Sequence, residues 1–261
     1  MTKIHALSIR RNLLRMMEYS KSSHVGSGLS IVDILTVLYF KTLSITPENL
    51  KDPARDIFIL SKGHASAALY ATLAECGMIP IEWLDQYYID GGKLPGHLDM
   101  ATVPGVECSA GSLGHGLPIG VGMAIAKRKK GLAGRVFVLI GDGETNEGSV
   151  WEAAMLASTL CLDNLRLIID FNHLQGMGRD VISQGNLAER FNSFGFESIE
   201  IDGHDHSILE DAFSVVPNRP FAIVARTTKG MGVSFMQDRL EWHYKSPNRE
   251  QFDSAIIELQ G

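Results

Sequence analysis

Along this chain, short runs of β-branched and aromatic residues alternate with longer stretches in which apolar positions recur every three or four residues. Runs of the first kind read as strands and stretches of the second as amphipathic helices. Residues 56–60, 135–140, 165–170 and 221–226 are apolar runs of the sort a parallel sheet buries on both faces, whereas residues 196–201 alternate. Helical spacing marks residues 3–19, 31–42 (Ile31, Ile34, Leu35, Leu38) and the alanine-rich stretch after His64 that Gly77 ends. It continues with a short helix around Trp83, Leu84, Tyr87 and Tyr88, then a helix from Gly116, residues 149–160, 187–194 and 208–216, and a last segment before the final residues.

The boundaries carry their own signals. Ser30 with Asp33 has the spacing of a capping box, and Asn186 and Ser207 are N-cap candidates. Residues 19–28 read as a polar, glycine-punctuated loop around His24. Gly116, Gly120 and Ala124, spaced by four, require a close neighbour, either the sheet or another helix. Strands alternating with helices predict an α/β fold: one doubly wound, mainly parallel sheet with helices on both faces, residues 1–261 forming a single domain.

In open α/β sheets, ligands sit at the C-terminal strand tips. The run at 135–140 enters Gly141-Asp142-Gly143, and the run at 165–170 leads to Asn172, thirty positions after Asp142. The intervening helix makes this a βαβ unit, whose two tips face the same way, so the Asp142 carboxylate and the Asn172 amide oxygen can meet. One carboxylate and one amide oxygen suit a hard cation such as Mg²⁺, which keeps most of its ligands from water and phosphate. The residues therefore predict a phosphate-bearing cofactor. Gly-x-Gly after a strand also opens a dinucleotide site, but Asn146 stands where a third glycine would be, and the following segment begins acidic. A plain turn also explains the two glycines taken alone.

A net charge of −6 leaves no basic footprint for nucleic acid. The one basic run, residues 127–130, reads as a solvated helix end. Cys76, Cys108 and Cys161 lack metal-ligand spacing and are odd in number, which points to a reducing, cytoplasmic setting. No apolar run is long enough for a membrane span, and the first residues lack a signal peptide's apolar core.

Gly-Asp-Gly, about thirty residues and then Asn resembles the thiamine diphosphate motif, and residues 141–148 resemble its transketolase form. The resemblance implies a thiamine diphosphate-binding fold with Mg²⁺ or Ca²⁺ on Asp142, Asn172 and the Leu174 carbonyl. Phe171 stands where that family has Asp or Asn. The segments around Ser23-His24, Ser61-Lys-Gly-His64, Pro95-Gly-His97, Gly111-Ser-Leu-Gly114 and Trp242-His243 resemble further family segments. They imply cofactor contacts by His64, His243, Gly111, Leu113, Gly143 and Asn172. His24 and His97 would bind the ketose hydroxyls, and His24 or His243 would move protons. Leu98-Asp99 and His115 depart from the family pattern. His204 and His206 read as turn residues, while His5 and His173 carry no assignment.

The implied activity is transfer of a two-carbon unit from a ketose, phosphorylated or otherwise acidic, to an aldose. Alternatives are a subunit of a decarboxylating thiamine enzyme, either a 2-oxo acid dehydrogenase α chain or a deoxyxylulose phosphate synthase-like protein, or a non-catalytic cofactor-holding subunit. The resemblance spans only the N-terminal half of an ordinary transketolase. It therefore implies a separate C-terminal subunit supplying the pyrimidine-binding domain and its glutamate, in an α2β2 assembly. Glu144 and Glu147 are expected on the diphosphate side.

Overall fold

The computed structural model describes residues 2–260. Its strands in chain order are β1 (Ile57–Leu60), β2 (Val136–Gly141), β3 (Leu165–Phe171), the two-residue β4 (Leu174–Gln175) and β5 (Gly178–Arg179), β6 (Glu197–Asp202) and β7 (Phe221–Arg226). Five of them form one sheet in the order β1-β2-β3-β7-β6, with every neighbouring pair parallel. β4 and β5 form a separate antiparallel ribbon. The α-helices are α1 (Thr2–Ser20), α2 (Val25–Leu29), α3 (Val32–Val37), α4 (Ser66–Glu75), α5 (Gly116–Lys129), α6 (Gly148–Thr159), α7 (Leu187–Ser193), α8 (His206–Ser214) and α9 (Arg249–Glu258).

The pleat of each strand splits its side chains between two cores. Phe137 and Leu139 of β2 pack with α1, α3, α4 and α8, whereas Val136, Val138 and Ile140 pack with α5, α6 and α7. This is why these strands read as unbroken apolar runs. The pattern is the doubly wound sheet expected from the sequence. Among the described residues, no helix is long and apolar enough to cross a membrane.

The close neighbour of α5 is the sheet. A Cβ on Gly120 would lie 2.4 Å from Val138 Cγ2, and one on Gly116 would lie 2.3 Å from Ser61 Cβ. Gly120→Ala should therefore destabilise the chain by about 1–3 kcal/mol through overpacking, despite alanine's better helix propensity, as read from its urea unfolding midpoint.

Several local expectations are corrected. Residues 25–29 are helical rather than loop, with His24 in a left-handed conformation (φ 79°) just ahead of them. The 31–42 helix divides into α3 and a π-helical turn, Leu38–Thr42, and no side chain caps α3. Ser30 bonds Asp170 and Asp33 bonds Arg10, because both are drawn into buried networks that local capping cannot match. Asp205, not Ser207, caps α8, and the residues around Trp83 form a 3₁₀ turn, Ile81–Gln86. The basic run is not wholly solvated, since buried Lys127 donates to the carbonyls of Pro53 (2.7 Å), Arg55 (2.6 Å) and Ala133 (3.1 Å).

Candidate cofactor and substrate site

Because the sheet is parallel, the C-terminal tips of β1, β2, β3 and β7 gather on one edge, and the register sets Gly141 beside Asp170 and Asp170 beside Ala225. A cleft opens there, lined on its floor by Asp142, Gly143, Asn172 and Leu174. Asp142 Oδ1 accepts the Gly143 N–H at 2.7 Å, while its buried Oδ2 has no hydrogen-bond partner among the described residues. Burial, and then the neighbouring Asp170 charge, push the Asp142 carboxyl above its ordinary value. A carboxylate in that position calls for a cation. Asn172 is fixed beside it: its amide nitrogen donates to Asp170 Oδ2 at 3.1 Å, and its oxygen accepts the Leu174 N–H at 3.0 Å, leaving one lone pair. The Leu174 carbonyl accepts from Lys229 Nζ at 2.8 Å and likewise keeps a lone pair. This donor set fits a hard divalent ion that draws its remaining ligands from a phosphate group.

Two lysines complete the polar wall. Lys62 Nζ bonds Asp170 Oδ2 and reaches the Ser27 carbonyl at 3.2 Å. Asp170 is fully buried; burial would raise its pKa, but Lys62 and bonds from Thr227 and Ser30 outweigh it and hold the carboxyl below its ordinary value. Lys229, buried and near Lys62, is lowered to about 8. An anion between the two ammonium groups would reverse that shift. Buried Glu144 does not act as a free carboxylate: it accepts from Ser61 Oγ, from Gly114 N at 2.8 Å and from Gly141 N at 3.2 Å. It thereby ties the Gly111–Gly114 loop to the tips of β1 and β2.

Above this floor stand four imidazoles. The His24 ring lies 5.1 Å from His64, 5.0 Å from His243 and 6.3 Å from His97, measured between centroids. His64 and His243 line the cleft, and His24 and His97 line an adjoining pocket with Lys21, Tyr87 and Tyr88. Burial, then the His97 and Lys229 charges, lower His24 to about 4; burial and then Lys229 lower His243 to about 3. Both rings are therefore neutral at pH 7. The unfolded chain binds protons on these rings below about pH 6.5 that the folded chain refuses. Stability is thus present at neutral pH and should fall as pH drops from about 6.5 towards 4. The urea midpoint of the cofactor-free chain should be lower at pH 5 than at pH 7, and His24→Gln with His243→Gln should reduce the difference, leaving the part due to His64, which burial also holds well below its ordinary value.

The profile of the family described as "Transketolase, thiamine diphosphate binding domain" matches residues 2–254. The chain belongs to the transketolase family. It is 44% identical over 260 residues, covering 98% of this chain and 94% of the relative, to a protein named as one subunit of an apulose-4-phosphate transketolase from Actinobacillus succinogenes. It is 38% identical over 242 residues, covering 91% and 88%, to a 6-deoxy-6-sulfo-D-fructose transketolase subunit from Clostridium sp. (strain MSTE9). The crystal structure of transketolase from Campylobacter jejuni superposes with a TM-score of 0.93 at 30% identity, over 99% of this chain and 42% of that one. Human transketolase is 35% identical over 98% of this chain and 42% of its own length.

Of the residues that the family resemblance singles out, Asp142, Gly143, Asn172, Leu174, His64, His243 and Leu113 line one cleft. His24 and His97 stand beside it, and Gly111 faces His97, whose Cδ2 would be 3.9 Å from an added Cβ. Glu144, expected on the diphosphate side, lines the cleft as well, whereas Glu147 does not; Lys62, Asp170 and Lys229 carry no role in the sequence reading. The two lysines had a legible signal, each preceding a glycine just past a strand of the sheet; Asp170 had none beyond its place at the end of an apolar run. His204 and His206 are not free turn residues, since both bond Asp33. His5 bonds Glu75 at 2.8 Å and stacks on Phe40, and His173 bonds Asp180 at 3.0 Å.

Proposed function

We propose that this chain is the diphosphate-binding subunit of a two-subunit transketolase, moving a two-carbon ketol unit from an acidic ketose to an aldose. The observation that carries the reading is the buried, unpartnered Asp142 oxygen beside Asn172 at adjacent strand tips, facing two buried lysines. In this reading Asp142, Asn172 and the Leu174 carbonyl hold Mg²⁺ or Ca²⁺. His64, Lys62, Lys229 and His243 meet the diphosphate beside Gly143, whose N–H is held by Asp142 Oδ1, and Gly111 and Leu113 flank the cofactor. Bound thiamine diphosphate supplies the nucleophile and the electron sink for carbon–carbon cleavage.

The protein's share is to position groups and to handle protons. His24 or His243 takes a hydroxyl proton and returns it to an oxyanion, a role that requires the cofactor's diphosphate charge to raise rings that burial and the two lysines hold at about 4 and about 3 in its absence. His97, exposed at the mouth, bonds the sugar's hydroxyls. The named relatives act on a sugar phosphate and a sulfonated sugar, which supports an acidic substrate here. A companion subunit contributes the pyrimidine-binding half in an α2β2 assembly. Three free cysteines accord with a cytoplasmic setting.

The test is to follow ketose consumption in the presence of an aldose, with thiamine diphosphate, Mg²⁺ and the companion subunit. Consumption of a 2-oxo acid instead would overturn the reading. The histidines should separate by role. His64→Ala should weaken cofactor binding, whereas His97→Ala should raise KM for the ketose or lower kcat/KM with the cofactor still bound. Equal losses of cofactor affinity in both variants would remove His97 from the sugar.

A further inference from the structure

We infer that His204, whose ring Asp33 orients, is a positioning residue: its Nε2 acceptor holds the Lys229 loop in register with the cofactor cleft, although neither His204 nor Asp33 lines the cleft. The inference rests on the functional reading above only in taking Lys229 as a diphosphate contact.

Asp33, buried at the start of α3, receives four hydrogen bonds from three side chains. Arg10 Nη1 donates to Oδ1 at 3.1 Å and Arg10 Nη2 to Oδ2 at 2.6 Å. His204 Nδ1 lies 2.8 Å from Oδ2, and His206 Nε2 lies 2.9 Å from Oδ1. Burial would raise the Asp33 pKa, but the two histidines and Arg10 outweigh it and keep the group an acceptor-only carboxylate.

Proton bookkeeping then fixes the tautomers. His204 Nδ1 must carry the hydrogen, so its Nε2 is a bare lone pair, and that atom lies 2.8 Å from the backbone N of Thr228. His206 must donate from Nε2, and its Nδ1 lies 2.8 Å from the Thr2 hydroxyl. Thr228 immediately precedes Lys229. Arg10 Nε also donates to the Met231 carbonyl at 3.2 Å, so one carboxylate grips the loop at both ends. Between these points, Gly230 N donates to the Gly26 carbonyl at 3.0 Å. The loop can then deliver Lys229 Nζ to the Leu174 carbonyl at 2.8 Å and to His243 Nδ1 at 3.0 Å. The ammonium group of a flexible four-carbon side chain is only as well placed as the backbone from which it springs.

The experiment uses the chain with its companion subunit. In His204→Asn the amide nitrogen falls near Nδ1 and keeps the Asp33 bond but loses the Thr228 acceptor. In His204→Gln an amide oxygen falls near Nε2 and restores that acceptor. His204→Asn should speed amide exchange at Thr228 and weaken thiamine diphosphate binding in Mg²⁺, each about tenfold, while His204→Gln stays within about threefold of the unaltered complex. In a Lys229→Met background, His204→Asn should change affinity by less than about twofold, because the group it positions is gone. Equal losses in both backgrounds would make His204 a general structural residue and overturn the inference. So would unchanged exchange at Thr228, a result read without the cofactor. Failure of the unaltered complex to bind thiamine diphosphate would instead defeat the functional reading, with the exchange measurement still deciding whether His204 holds the loop.

Discussion

Asp142→Ala should abolish Mg²⁺-dependent thiamine diphosphate binding in the assembled enzyme, with a loss of affinity beyond the ~100-fold that removing a residue behind a metal ligand costs. The carboxylate has one oxygen on the Gly143 N–H and the other on no protein group among the described residues, whereas the other carboxylates lining the cleft, Asp170 and Glu144, are already bonded within the chain. Without it, the diphosphate would meet Lys62 and Lys229 but lose the metal's two charges. The same substitution should leave the cofactor-free protein at least as stable as before, because it removes a buried carboxylate with no ionic partner. Calorimetric titration in Mg²⁺ and a urea melt without cofactor measure the two halves. Unchanged affinity would refute the metal assignment, and a large loss of cofactor-free stability would mean that Asp142 is structural.

The second large effect concerns the companion subunit. Purified alone, with saturating thiamine diphosphate, Mg²⁺, ketose and aldose, this chain should turn over at least about 100-fold more slowly than after mixing with its partner, the lower end of what a missing acid–base group costs. Three carboxylates line the cleft, and each has a role within this chain. Asp142 is the proposed metal ligand, Asp170 is paired with Lys62, and Glu144 is bonded to Ser61 and two backbone N–H groups. None is left to protonate or steady the pyrimidine end of the cofactor, the task the family resemblance gives to a glutamate of the second half. The subunit-named relatives match this chain over most of their length, whereas human transketolase is matched over 42% of its own. Full turnover by the isolated chain would refute the split arrangement.

The sheet and the metal motif were legible in the sequence because both rest on short-range regularities. Parallel strands covered on both faces must be apolar throughout, so β2, β3 and β7 stood out as unbroken runs. A βαβ unit sends both strand tips the same way, so Asp142 and Asn172 could be paired from spacing alone. The histidine cluster was legible only through resemblance, since nothing local distinguishes His24 or His97 from an ordinary loop histidine.

The sequence by itself thus determined the strands of the main sheet, most of the helices packed on it and the strand tips at which the cleft opens. Tertiary structure decided which polar residues share a charge. Ser30 and Asp33 have the spacing of a helix cap, but Ser30 is drawn to Asp170, 140 positions away, and Asp33 to His204, 171 positions away. A cap hydrogen bond contributes about 1 kcal/mol. Leaving a buried carboxylate unpaired costs several times that, so the distant partners prevail over the local pattern. The same reason places Lys62 on Asp170 and Lys229 under His243: burial forces each charge to find its partner wherever the fold brings one, and no short-range pattern records it.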